Sequence, residues 1–291
     1  MMAQSRLGLG KRLILELLRG VGGRASRTSI VKWLFLVAQE TDWGRENAPY
    51  DFVPYRYGAF SFVAYRDIQK LTESGLLCEV NDGLRTTVET DPRLPQDCLA
   101  AVESITKRYG SFSSEDLMRY TYRTYPWFSL LSERTDLIRV LVKRPVAAPG
   151  IYTVGYEGKS LDTFLNLLLY SGVAGVIDVR AVPRSRRYGF HRTTLCRHLD
   201  QLGLHYASHT ELGITTEQRR ALAGSTVRKQ LLAVYAGEMV KSKMEEIGAL
   251  GQRFRDRPWV LFCFEGNPAE CHRSVLADIL AAESGLPVVH L

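Results

Sequence analysis

The sequence predicts an α/β fold: a mostly parallel sheet flanked by helices, preceded by a helical unit of winged-helix type. After residue 150, short and almost wholly apolar runs alternate with helical patterns, as strands buried on both faces require. Before residue 143, apolar residues recur at helical spacing and lead into two strand-like runs. Between the two regimes lies Lys143-Arg-Pro-Val-Ala-Ala-Pro-Gly150, whose prolines and small residues resist regular structure. The expected organisation is therefore a helical unit over 1–142, a linker over 143–150 and an α/β unit over 151–291.

In the first unit, Leu13, Leu17 and Leu18 share one helical face. Ser26 or Thr28 can cap a second helix carrying Ile30, Trp33, Leu34 and Val37. A third helix follows Ser61, with Val63, Ile68 and Leu71 inward and Arg66 and Lys70 outward. GLLCEV, the turn Asn81-Asp82-Gly83 and LRTTVET then read as a hairpin whose turn residues accept positive φ. Helix, helix, helix and hairpin is the order of a winged helix. The stretch YDFVPYRYGAFSFVAYRDIQKLTESGLL, with its Tyr57-Gly58-x-Phe60-Ser61 turn, also resembles the Panacea or SocA-like group of small helical domains. Tyr55, Tyr57, Phe60 and Phe62 serve there either as core aromatics or as DNA contacts. Two more helical patterns, one with Leu99, Val102 and Ile105 and one with Leu117, Tyr120 and Tyr122, complete the unit.

In the second unit the expected strands are IYTVGY (151–156), AGVIDVR (174–180), HYAS (205–208), WVLFCF (259–264) and PVVHL (287–291). Between them lie a helix capped by Ser160, the pattern TTLCRHLDQLG, a helical pair over 225–256 and a helix over 268–284. Alternation of this kind makes parallel pairing the economical topology.

The net charge is +7, with 45% hydrophobic and 24% charged residues. The excess divides as +4 before residue 150 and +3 after it, so both units suit a polyanionic partner. No run reaches the roughly 20 apolar residues of a membrane span, and the first residues lack a cleavable leader pattern, so a cytoplasmic protein with no membrane partner is expected. Five scattered cysteines without a CxxC pair predict reduced thiols, neither a disulfide framework nor a metal site. A zinc set of Cys263, Cys271, His272 and His209 is set aside because Cys263 lies inside an apolar strand. No cofactor is expected.

Ligands of open parallel sheets bind beyond the carboxyl ends of the strands. The residues following three of the strands are Tyr156-Glu157-Gly158-Lys159, Asp178-Val179-Arg180 and Glu265-Gly266-Asn267, so three acids are expected on one edge. Asn267 with Pro268 looks like a helix start that sets Cys271, His272 and Arg273 in the first turn, a place for an anion. The loop from Arg180 to Arg192 carries five arginines and no acid, interleaved with Tyr188, Phe190 and His191, which suits a nucleic-acid backbone and a stacked base.

Thr153-Val-Gly155-Tyr156, Asp178-Val-Arg180 with Pro183 and Ser185, Leu212-Gly213, and Cys263-Phe-Glu265 followed by Cys271-His272-Arg273 occur in order. In these the second unit resembles the bacterial family catalogued as domain of unknown function 488, over about 151–291. The resemblance implies an α/β domain similar to nucleotide-handling folds, with an association with base excision and phage defence.

The leading expectation is a monofunctional DNA N-glycosylase acting on modified or damaged bases in duplex DNA. Asp178, Glu265 and Glu157 are the carboxylates, because an oxocarbenium-like sugar needs negative charge or activated water beside it. Arg180, Arg273, His272, Lys159, Ser185, Arg186 and Arg187 hold phosphates or the leaving base, and Tyr156, Tyr188 and Phe190 stack on an extruded nucleotide. The alternatives are a Mg²⁺-dependent nuclease or phosphohydrolase using the same acids, and a winged-helix regulator whose α/β unit senses a nucleotide.

Overall fold

The computed structural model describes residues 7–87, 94–215, 217–218, 225–239 and 241–291. The chain divides into two compact units, Met1–Lys143 and Arg144–Leu291. Residues 144–150 belong with the second: the Ala147 N–H donates to the Gly172 carbonyl at 3.0 Å, and the Arg144 guanidinium donates to the Leu202 carbonyl at 3.1 Å.

The first unit runs α1 (Leu9–Gly20), β1 (Arg24–Ala25), α2 (Arg27–Glu40), α3 (Asp42–Asn47), β2 (Val53–Tyr55), β3 (Gly58–Phe60), α4 (Phe62–Glu73), β4 (Leu77–Val80), β5 (Gly83–Thr86), α5 (Gln96–Tyr109) and α6 (Ser114–Thr124). Ser26 caps α2 by accepting the Ser29 N–H, and Ser61 caps α4 by accepting that of Ala64. Leu13, Leu17, Ile30, Phe35, Ile68, Leu77 and Ile105 meet in one apolar core. The antiparallel sheet has the order β1-β5-β4. Its hairpin turns through Asn81 and Asp82, but no described non-glycine residue has positive φ, and Gly83 does not either. Gly83 is needed for another reason: a Cβ there would fall 2.3 Å from the Ala25 carbonyl oxygen, so only glycine lets β1 lie this close. The expected continuation of this strand over 88–90 lies outside the described residues. The aromatic stretch forms the β2–β3 hairpin, where Tyr55, Phe60 and Phe62 pack on one another while Tyr57 stays exposed.

The second unit comprises β6 (Ile151–Gly155), α7 (Leu161–Ser171), β7 (Gly175–Asp178), α8 (Arg192–Gln201), β8 (His205–Ser208), α9 (Ser225–Val234), α10 (Met244–Asp256), β9 (Trp259–Cys263), α11 (His272–Ser284) and β10 (Val288–His290). The five strands form one sheet, all pairs parallel, in the order β10-β6-β9-β7-β8. The three strands whose ends carry the candidate acids are thus its three central ones. Along β9 the side chains alternate between faces. Leu261 and Cys263 join a core with Ile177, Val179, Ile247, Leu276 and Leu280, on the side of α10 and α11. Phe262 meets Phe164 and Phe190 on the side of α7. No helix among the described residues is long and apolar enough to cross a membrane.

Candidate functional site

At the end of β7, Asp178 is fully buried and both its oxygens are engaged. Arg180 Nε donates to Oδ1 at 2.8 Å and Nη2 to Oδ2 at 2.7 Å, a bidentate pair. The Arg180 backbone N–H adds a bond to Oδ1 at 3.1 Å and the Tyr206 hydroxyl one to Oδ2 at 2.7 Å. Burial works against the Arg180 charge, but the Asp178 carboxylate outweighs it and holds the guanidinium pKa above its usual value. Asp178 is therefore a clamp on Arg180. The guanidinium also donates to the Phe190 carbonyl at 3.0 Å and stands over the Phe262 and Tyr156 rings at 4.7 and 5.4 Å.

Tyr156 and Phe190 are stacked at 4.3 Å with rings 15° apart, and both are buried. They are structural rings rather than free faces. The aromatic side chain that reaches solvent is Phe264, 41% exposed and edge-on to Tyr156. Together Tyr156, Arg180, Ala181, Val182, Arg184, Ile214 and Phe264 enclose a cavity of about 180 Å³ at the carboxyl edge of the sheet. The loop beyond it exposes Arg184, Arg186, Arg187 and Arg192, with Tyr188 half-buried against His198. The Ser185 hydroxyl accepts the Arg187 N–H at 3.1 Å and so shapes the turn.

At the ends of β6 and β9 the two loops are tied together. Exposed Glu157 accepts the Gly266 N–H at 2.9 Å. Arg273, 1% exposed, donates to the Glu265 carbonyl at 2.5 Å, to the Gly266 carbonyl at 3.1 Å and to the Thr153 hydroxyl at 3.4 Å. The Lys159 ammonium donates to the Gly155 carbonyl at 3.1 Å. Partial burial, with the Arg273 charge nearby, holds its pKa below the usual lysine range. A Cβ on Gly155 would fall 1.7 Å from the Glu265 carbonyl oxygen, so glycine is required for this approach.

On the α11 face, Cys263 Sγ donates to Glu265 Oε2 at 3.3 Å and lies 3.8 Å from His272 Nδ1. His272 Nε2 donates to the Val179 carbonyl at 2.9 Å. Asn267 caps a single 3₁₀ turn, Pro268–Glu270, and α11 itself begins four residues later than the sequence suggests, with Cys271 as its N-cap residue and His272 first in the helix. Burial pushes the Cys271 thiol pKa up, which argues against a free thiolate nucleophile.

The predicted residues thus separate into two groups by strand alternation. Arg180, Asp178, Tyr156 and Phe190 gather on the α7 face, while Glu265 and His272 gather with Cys263 on the other. Three residues of the site escaped the sequence reading: Ile214, which lines the cavity, Tyr206, which completes Asp178, and Phe264. The last is signalled only by alternation from buried Phe262. Asp178-Val-Arg180, Cys263-Phe-Glu265 and Cys271-His272-Arg273 sit together at the ends of adjacent strands, and all three fall inside the stretch that is similar to a known family. Residues 160–280 match the family model described as Domain of unknown function DUF488. The DUF488 match covers these three motifs and begins after the Thr153–Tyr156 strand end. No curated protein and no solved structure matches the chain.

Proposed function

We propose that the protein is a cytoplasmic enzyme acting on DNA, an N-glycosidase that excises modified or damaged bases from duplex DNA, with defence against phage as its setting. The observation that carries this reading is the cavity of about 180 Å³ walled by the Tyr156 and Phe264 rings and by Arg180 and Arg184. Its size suits one base rather than a stretch of duplex, so the base must leave the helix to enter. The exposed arginines of 184–192 supply phosphate contacts on either side. The Asp178 clamp fixes the Arg180 fork and so keeps one donor set pre-arranged at the cavity wall.

Cleavage of the glycosidic bond builds positive charge on the sugar, and a carboxylate stabilises that charge or directs water to it. Asp178 is spent on Arg180. Glu157, exposed, and Glu265, buried at 8% on the face of β9 opposite the cavity, stand at the ends of adjacent strands and are the acids left for this role. In the first unit, α1, β1, α2, α4 and the β4–β5 hairpin with the sheet β1-β5-β4 support a winged-helix role in DNA docking, α3 and the β2–β3 hairpin being inserted between α2 and α4, and α4 presents Tyr65, Gln69 and Lys70 to solvent.

The test is incubation with plain and base-modified duplexes followed by alkali, which cuts at abasic sites. Alkali-dependent breaks are expected, and Glu157→Gln or Glu265→Gln abolishes them. Excision unchanged in both variants, or no breaks on any duplex with and without Mg²⁺, overturns the reading. Breaks that need Mg²⁺ and no alkali favour phosphodiester cleavage instead.

A further inference from the structure

The buried side of the sheet's carboxyl edge holds a second constellation. Among the described residues, one ligand atom each from Cys263, Cys271 and His272 lies within 4.8 Å of the other two. All three residues are buried, at 0, 1 and 2% exposure. They come from the end of the central strand β9 and the start of α11, two elements held in the same core by Leu261, Leu276 and Leu280.

Two features distinguish this from a chance meeting of core thiols. A carbonyl oxygen only accepts, so the His272 Nε2 bond to Val179 places the ring proton on Nε2 and leaves the Nδ1 lone pair facing Cys263 Sγ. Fixing a ligand imidazole through its far nitrogen is what protein metal sites do. The spacing also fits. Zn–S near 2.3 Å and Zn–N near 2.0 Å put a tetrahedral sulfur–nitrogen pair roughly 3.5 Å apart, within about 0.3 Å of the observed 3.8 Å. The Tyr235 ring covers His272 at 5.4 Å, and its hydroxyl is held by the Leu212 carbonyl at 2.7 Å, so the set is closed on that side.

We infer that Cys263, Cys271 and His272 bind one Zn²⁺ through two sulfurs and Nδ1, leaving the fourth position to water beside Glu265. Glu265 touches Cys263 Sγ but stands outside the mutually close set, and it is the member of this neighbourhood with most access to solvent, at 8%. Soft sulfur with imidazole selects Zn²⁺ over Mg²⁺, which prefers oxygen. The three ligands lie on the opposite face of β9 from the cavity, and Glu265 is the residue that this site shares with the base-excision reading.

The protein expressed in zinc-supplemented medium is assayed for metal after desalting, then stripped under reducing conditions and titrated with Co²⁺ as a coloured probe. One zinc per chain and a thiolate-to-cobalt charge-transfer band are expected. Cys263→Ser and Cys271→Ser abolish both, His272→Ala weakens Co²⁺ binding at least about 10-fold, and Cys98→Ser and Cys196→Ser change neither. Glu265→Gln retains the metal; its loss from a folded Glu265→Gln protein overturns the open fourth position. A wild-type protein without zinc that gives no cobalt band overturns the site, whatever the fate of the variants. Neither readout involves DNA, so failure here and failure of the excision assay are separate results.

Discussion

Two buried charges of opposite fate show how single residues carry the molecule. Asp178 and Arg180 are paired, so removing one leaves the other charged in a dry place. Asp178→Asn is expected to lower the stability of the second unit by about 3–5 kcal/mol, read from urea midpoints. Among the described residues Lys32 has no such partner: its ammonium, 2% exposed, donates to the Ala59 carbonyl at 2.7 Å beside the buried Tyr122 ring. Burial pushes its pKa down to about 7 from 10.5. Below pH 7 the amine is charged in both states and the full cost of burying it is felt. Between about pH 7 and 10.5 the unfolded chain binds the extra proton, so stability rises with pH, with a slope up to about 1.4 kcal/mol per unit. Denaturation of the first unit at several pH values should show this rise, and Lys32→Met should flatten it.

At the scale of elements, the glycines at close strand approaches are the sensitive points. Gly155→Ala would drive a Cβ into the Glu265 carbonyl, the acceptor for Arg273, and must part the β6 and β9 loops. A loss of about 1–3 kcal/mol is expected, with loss of amide protection at Gly266 by hydrogen exchange. Much of this level was legible in the sequence. The strands of the parallel sheet announce themselves because burial on both faces forces continuous apolar runs, and Ser26, Ser61 and Ser160 mark helix starts through their hydroxyls. What escaped is short: α3, six residues long, and β2 and β3, three each, lie in an aromatic stretch that fits loop, helix or strand equally. The site was legible as positions but not as faces. Three strand ends were expected to pool their acids, yet the two-residue period sends Phe264 and Glu265 opposite ways, and Asp178 meets Arg180 two residues along instead of another acid. The Cys263 thiol was read as core filling because an apolar strand surrounds it; the helix start that brings Cys271 and His272 alongside is a tertiary fact.

For the molecule as a whole, the +7 charge acquires locations. Its densest run of exposed cations is Arg184, Arg186, Arg187 and Arg192 on the loop bordering the cavity. If each meets a phosphate, the Arg186→Ala and Arg187→Ala pair lowers the slope of log affinity against log salt by about 2 for duplex DNA, measured by fluorescence titration across salt concentrations. An unchanged slope places the DNA elsewhere.

The position of β9 between β6 and β7 has a consequence for synthesis. Both flanking strands leave the ribosome long before it, β7 ending at Asp178 and β9 starting at Trp259. Until β9 arrives, each waits with an edge that has no final partner. Such edges invite wrong pairings. The late strand that joins β6 to β7 also brings Cys263 and, just beyond it, Glu265, so the centre of the sheet and these side chains arrive together, with β10 still to add its edge.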